Sequence, residues 1–149
     1  MPILAGQKVT AQQLGRLQTK KYSATASGSL TRTDGTWADI PGCSVTLTTE
    51  TANARYDVIG IFDCSVGATS TTILMDGRLM VDGVADATVF GIHAMDNLDR
   101  DTVSQVFDGT LATPGVHTLK LQGALSGSLA TGGTFQVFSK IRVEITEVV

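Results

Sequence analysis

The sequence predicts an all-β domain, an antiparallel β-sandwich or jelly roll of about eight to ten strands with a short N-terminal helical or extended arm. Two observations predict this fold. From residue 22 onward, short runs alternate hydrophobic and polar residues, and turn signals containing Gly, Asp or Pro separate the runs at even spacing. At 149 residues the chain is expected to form one domain, with a docking arm at 1–21 and a β-sandwich body at 22–149.

The arm contains the residues of a helix start. Thr10 is the predicted N-cap, and Gln13 three residues later completes a capping box. Val9 before the cap and Leu14 are expected to form a hydrophobic staple, and Leu14 shares a helix face with Leu17. A helix this short is marginal in water, so it needs a surface to contact, either on the body or on another chain.

The arm and the body differ in net charge. The formal net charge is −3, yet residues 1–33 contain five basic residues and no acidic one. Residues 34–149 contain the other six basic residues and all 14 acidic ones. This asymmetry predicts that the arm binds something negative, such as an acidic subunit, a scaffold or nucleic acid, with a solvated tail as the alternative.

The first half of the body reads as a succession of strands. A strand of small residues precedes a turn at Asp34-Gly35, and a short strand with Trp37 follows. The runs at 43–50 and 55–66 predict two further strands. The run at 71–83 predicts a hairpin with a type I′ turn at Asp76-Gly77 and a second turn signal at Asp82-Gly83.

The second half continues the pattern. A strand at 87–95 precedes a polar loop, and two strands between 102 and 125 flank a turn at Pro114-Gly115. The stretch 123–133 is rich in Gly and Ser and predicts a flexible loop. One long strand is expected to close the chain from 132 onward.

Residues that often carry chemistry do not cluster in a recognisable motif. Cys43 and Cys64 are expected to be buried, reduced thiols, because a disulfide between them would require strands 43–50 and 56–64 to pair as a hairpin in one register. His93 and His117 lack the spacing of a metal pair, and the acidic loop 96–101 lacks the spacing of a calcium loop. The sequence therefore predicts no metal and no cofactor.

Enzymatic function finds no support in the sequence. It contains no Gly-x-Ser-x-Gly nucleophile motif, no phosphate-binding loop and few aromatic residues to hold sugars. Nucleic-acid binding would rest on the scattered charges of the arm alone, so none is expected. No apolar stretch approaches the length of a membrane helix, so no membrane partner is expected either.

The opening LAGQKVTAQQLGRLQ resembles the N-terminal arm of small virion structural proteins of tailed bacteriophages, especially those of actinobacterial hosts. The segments ARYDVIGIFD, LMVDG and GVHTLKLQ resemble strands of trimeric jelly rolls of the tumour-necrosis-factor/C1q type and of phage head-decoration or fibre-head domains. The resemblance implies a non-enzymatic capsid decoration (cement) protein, assembled into the virion in the host cytoplasm. Its partner would be the major capsid protein or another virion subunit. The alternative is a minor tail or fibre protein that binds the host surface.

The resemblance implies that the arm binds the partner subunit. Apolar arm residues would enter a groove, and basic ones would meet an acidic rim. One arm would bind weakly, whereas three arms on a homotrimer would gain through effective concentration. The expected docking residues are Leu4, Lys8, Val9, Leu14, Arg16, Leu17, Lys20 and Lys21.

Overall fold

The prediction of an all-β antiparallel sandwich with a short N-terminal helix is confirmed. The computed structural model describes residues 8, 10–69, 71–127 and 132–147, without the side chains of 87–90. Its elements are α1 (Ala11–Leu17), β1 (Lys20–Thr25), β2 (Leu30–Arg32), β3 (Ala38–Thr49), β4 (Ala54–Val66), β5 (Ile73–Val81), β6 (Val84–Met95), β7 (Arg100–Leu111), β8 (Gly115–Gly127), β9 (Gly133–Phe135) and β10 (Lys140–Thr146).

The strands form two antiparallel sheets. In sheet A, β4 pairs with β7 on one side and with β10 and then β9 on the other, and β1 and β2 extend the sheet beyond β10 and β9. Sheet B has the order β3-β8-β5-β6. The chain crosses repeatedly between the sheets, which is the connectivity of a jelly roll.

Alternation along the strands builds the core between the sheets. In β4 the even-numbered residues up to Cys64 face inward and are buried, whereas odd-numbered residues such as Asp57 and Ile59 face outward. Phe62 and Phe135 are buried and meet edge to face, with ring centroids 6.2 Å apart. Gly77 on β5 leaves the space for Phe62, because a Cβ at Gly77 would lie 2.5 Å from its ring.

The predicted type I′ turn at Asp76-Gly77 is wrong, because both residues lie within β5. The turn is at the second signal, where Asp82 and Gly83 have positive φ values of 50° and 82°. Two Asp-Gly pairs carry the same local signal. The glycine at 77 serves packing against Phe62 rather than chain reversal.

The hairpin of 43–50 with 56–64 that a disulfide would have required does not form, because β3 pairs with β8 in sheet B whereas β4 pairs with β7 and β10 in sheet A. One strand prediction changes. The long closing strand is divided into β9 and β10. At the break, the Gln136 N–H donates to the Asp63 carbonyl at 2.7 Å and the Ser139 N–H donates to the Gln136 carbonyl at 3.0 Å.

The loop expected at 123–133 is only partly visible among the described residues. β8 continues through Gly127, and 128–131 lie outside the described part. The turn at Pro114-Gly115 separates β7 from β8 as expected, and it carries the chain from sheet A to sheet B.

Candidate docking surface

Helix α1 begins as the sequence predicts. The Gln13 N–H donates to Thr10 Oγ1 at 3.2 Å, and the Thr10 N–H donates to Gln13 Oε1 at 2.9 Å, so the capping box is complete. The predicted staple between Val9 and Leu14 lies outside the described residues, as does the predicted docking residue Leu4. Two reciprocal hydrogen bonds therefore define the start of this seven-residue helix.

The apolar residues of α1 face solvent. Leu14 is 54% exposed and Leu17 is 49% exposed, and no residue of the helix is buried. An isolated helix of this length is marginal in water. Two exposed leucines that contribute nothing to the core do not stabilise it through burial, so they are free to contact another surface. These two side chains form the leucine pair of the arm.

Most predicted cationic docking residues have acidic partners in the same chain. Arg16 Nε lies 2.9 Å from Glu50 Oε2, which ties the helix to the turn between β3 and β4. Lys21 Nζ lies 2.9 Å from Glu144 on the neighbouring strand β10. Lys8 is exposed and forms no ion pair with the described residues. Most of the basic character of the arm is therefore matched by its own body.

Lys20 makes the most buried of these pairs. Its Nζ lies 2.7 Å from Oε1 of Glu147, whose side chain is 1% exposed. The other carboxylate oxygen of Glu147 accepts from the backbone N–H groups of Glu50 and Thr51 at 2.7 and 3.0 Å. One carboxylate therefore joins the start of β1, the end of β10 and the β3–β4 turn. Lys20 and Lys21, expected at the end of the arm, are the first two residues of β1.

The pKa values of this pair reflect that arrangement. Burial raises the pKa of Glu147, but the hydrogen bonds from Lys20 and from the backbone of Glu50 outweigh it and hold the pKa below its usual value of 4.5. The hydrogen bond to Glu147 raises the pKa of Lys20 above 10.5 despite partial burial. Both groups are charged at neutral pH, so they anchor the base of the arm electrostatically.

The cysteines are free and buried, as predicted. Burial raises the pKa of Cys43 to about 11 and that of Cys64 to about 12. Because the thiolate is the reactive form, neither thiol is poised for nucleophilic chemistry at neutral pH.

Both histidines contact groups of the same chain. His117 is buried, with Nδ1 2.6 Å from Asp82 Oδ2 and Nε2 2.9 Å from the Thr113 carbonyl. Burial raises the pKa of Asp82, but hydrogen bonds from His117 and from the Thr118 N–H outweigh it and lower the pKa below 3.8. This contact ties the β5–β6 turn to the β7–β8 connection. His93 Nε2 lies 3.2 Å from Asp101 Oδ2.

The acidic loop before β7 does not gather a metal site. Arg100 turns away from the loop and donates to both oxygens of Asp63, at 3.3 and 2.9 Å. Within the described ranges, no three His, Cys, Asp or Glu side chains are placed to hold a metal ion. In the same part of the chain, no helix is long and apolar enough to cross a membrane.

Sequence reasoning missed a polar network on the outer face of sheet B. Arg78 donates from Nε and Nη2 to Gln122 Oε1, and its guanidinium lies 4.3 Å from the Trp37 ring centroid. Gln122 Nε2 and Lys120 Nζ each lie 2.6 Å from an oxygen of Asp39. These residues come from three separate segments, and only the register of β3, β8 and β5 brings them together.

Comparisons with known proteins assign the chain to no family. No family model matches the chain, and no curated protein matches it in sequence. Among solved structures, it is similar to infectious bursal disease virus Gt strain (14% identity, TM-score 0.48), covering 87% of this chain and 32% of that one. The T13 particle of the same virus gives 8% identity and a TM-score of 0.48, covering 88% of this chain and 36% of that one.

A third similar structure comes from a different class of protein. It is the CBM36-1 domain of a multidomain xylanase from the hindgut metagenome of Trinervitermes trinervoides, with 9% identity and a TM-score of 0.40. The match covers 83% of this chain and 96% of that domain. The chain spans about a third of the viral chains and nearly all of the xylanase domain.

Proposed function

We propose that this chain is a non-enzymatic structural subunit of a tailed-bacteriophage virion, a capsid decoration protein that docks on the major capsid shell through its arm. The observation that carries the proposal is the leucine pair. Leu14 and Leu17 are exposed on a helix that is held in place by an ion pair and contributes nothing buried to the body. The resemblance of the opening segment to phage virion arms points to the same use.

The intrachain ion pairs refine how the arm would act. Arg16, Lys20 and Lys21 hold the helix and β1 on the body, so they are not free to meet an acidic rim on the shell. The leucines would then supply most of the contact. Burying about 100 Å² of apolar surface for each leucine, at roughly 25 cal/mol/Å², stabilises each contact by about 2.5 kcal/mol before ordering costs. Three arms on a homotrimer would raise the avidity.

The test is co-sedimentation of the full chain with shells of the major capsid protein that lack it. The variant carries Leu14→Ser and Leu17→Ser, and the control carries Val116→Ser, which removes a valine that is 68% exposed on β8. We expect the double variant to bind at least about tenfold more weakly and the control to bind like the native chain. Unchanged binding of a folded double variant would refute docking through the leucine pair.

The tail or fibre alternative differs in where the chain sits on the particle. Quantitative gel analysis of purified virions gives its copy number relative to the major capsid protein. A shell-wide copy number is expected for decoration. A few copies for each particle would contradict decoration and favour the tail.

A further inference from the structure

The outer face of sheet A carries exposed hydrophobic residues at the centre of a flat surface. Ile59 on β4 is 40% exposed, and Val106, directly opposite it on β7, is 57% exposed. Ile61, two residues along β4, is half-buried on the same face. Phe138, in the connection between β9 and β10, is 69% exposed. Its ring centroid lies 5.6 Å from the Arg100 guanidinium, which binds Asp63. We call these four residues, with the charges described next, the A-face.

Charges of opposite sign lie on the two sides of this apolar centre. On one side, Asp57 faces Asp108 across β4 and β7, a pairing of like charges that destabilises a sheet. On the other side, Lys140 and Arg142 project from β10. None of these four forms an ion pair within the described part of the chain.

The two charge groups approach most closely at Asp57 and Arg142, diagonal neighbours on β4 and β10 whose Cα atoms are roughly 8 Å apart from strand spacing and rise. Asp108 and Lys140, on the two strands that flank β4, are roughly 17 Å apart by the same measure. A shallow pocket of about 350 Å³ lies on the basic side. Its charged lining residues are the cations Lys21, Lys140 and Arg142 and one carboxylate, Glu144, which pairs with Lys21. An acidic side chain from outside the molecule fits such a pocket in size and charge.

We propose that the A-face binds the A-face of other copies of this chain, with the acidic side of one copy against the basic side of the next. The face is complementary to itself because it carries both charges around an apolar centre. In the trimer of the proposed function, on which this arrangement rests, three A-faces meet around the three-fold axis.

Four strands wide and about eight residues long, the A-face covers roughly 500 Å². Each of the three contacts in the trimer therefore buries about 500 Å² in total, the size of a weak interface, so association should depend on protein concentration. α1 lies at a different place, beside the β3–β4 turn, so the arm stays accessible when copies associate.

The test is a charge exchange on the full chain, followed by multi-angle light scattering. Asp108→Lys and Lys140→Glu should each turn the contact between copies into a repulsion and raise its dissociation constant at least about tenfold. The chain carrying both substitutions restores opposite charges across the contact, so it should regain the native mass. Asp96→Lys, the same charge change in an exposed turn, is the control and should leave the mass unchanged.

Folding and association are distinguishable in this design. Asp108→Lys removes the like charge facing Asp57, so at a concentration where both chains are monomeric its melting temperature should equal or exceed that of the native chain. Ile59→Thr keeps strand propensity and should also lower the mass. A native chain that is monomeric, or a double variant that stays dissociated, would overturn the proposal. The shell-binding assay compares the leucine variant with the native chain at the same mass in solution, so the leucine pair is tested whether or not copies associate, and the two proposals fail separately.

Discussion

The two sheets cover the same core but differ in what they present to solvent. On sheet B, Arg78, Gln122, Lys120 and Asp39 are joined by hydrogen bonds, and Trp37 covers the guanidinium. On sheet A, Asp57, Asp108, Lys140 and Arg142 form no ion pair with the residues that the structure describes. Both sheets carry exposed hydrophobic residues, such as Ile92 and Val116 on sheet B and Val106 on sheet A. The difference between the two faces therefore lies in whether these charges are paired, and unpaired charges beside exposed apolar residues suit a partner.

The largest effect on stability is expected at the base of sheet A, where the charges are fully matched. Glu147→Ala leaves the backbone N–H groups of Glu50 and Thr51 and the Lys20 ammonium without their acceptor. The free energy of unfolding should fall by about 2 kcal/mol, because the substitution leaves three partly buried donors without their acceptor. Urea unfolding followed by circular dichroism measures the loss. A loss below about 0.5 kcal/mol would show that this carboxylate does not anchor the arm.

The polar network of sheet B should respond more moderately. Asp39→Ala removes the acceptor of both Lys120 and Gln122, and these hydrogen bonds lower the Asp39 pKa against the effect of burial. We expect the free energy of unfolding to fall by about 1–2 kcal/mol and the mass in solution to stay unchanged. A change in mass would mean that sheet B also takes part in association, which would remove the contrast between the faces.

Acid should loosen the β5–β6 turn through Asp82. Because the folded state lowers the Asp82 pKa below 3.8, its contribution to stability is present above that value and is lost as pH falls through the lower, folded-state pKa. Because the Asp82 side chain is 45% exposed, solvent screens the contact, and the native chain should lose only about 0.5 kcal/mol more than Asp82→Asn between about pH 5 and 2.5. Parallel pH curves for both chains in urea unfolding would refute the role of this contact.

The smallest effect is expected at Lys21. Its pair with Glu144 lies on the surface, with side chains 73% and 48% exposed. Lys21→Ala should change the free energy of unfolding by less than about 0.5 kcal/mol. A loss comparable to that of Glu147→Ala would contradict this account. It would show that the exposed Lys21–Glu144 pair stabilises β1 as much as the more buried Lys20–Glu147 pair.

Local chemistry was predictable from the sequence, and long-range partners were not. Thr10 and Gln13 are three residues apart, so their capping box is visible in the sequence and is present in the structure. Lys20 and Glu147 are 127 residues apart, so the sequence shows an unpaired cation where the fold makes an ion pair. Asp82-Gly83 and Asp76-Gly77 look alike in sequence, and only the position of Phe62 shows why Gly77 is needed within a strand.

The A-face could not be predicted from the sequence for the same reason. Ile59 and Val106 lie in separate runs of the sequence, and each alone reads as an ordinary strand residue. Their exposure depends on which strands flank β4, which alternation does not determine. The ion pair between Arg16 and Glu50, which ties α1 to the body, likewise joins residues 34 positions apart in the sequence.

The central claim is that copies join through the β-body while the arm is left to meet another partner. The most direct measurement is light scattering on the full chain and on a chain that begins at Thr19, which loses α1 but keeps β1 with Lys20 and Lys21 and all described buried residues. We expect three subunits in both. A chain that is trimeric with α1 and monomeric without it would contradict the claim, because the helix would then hold the copies together.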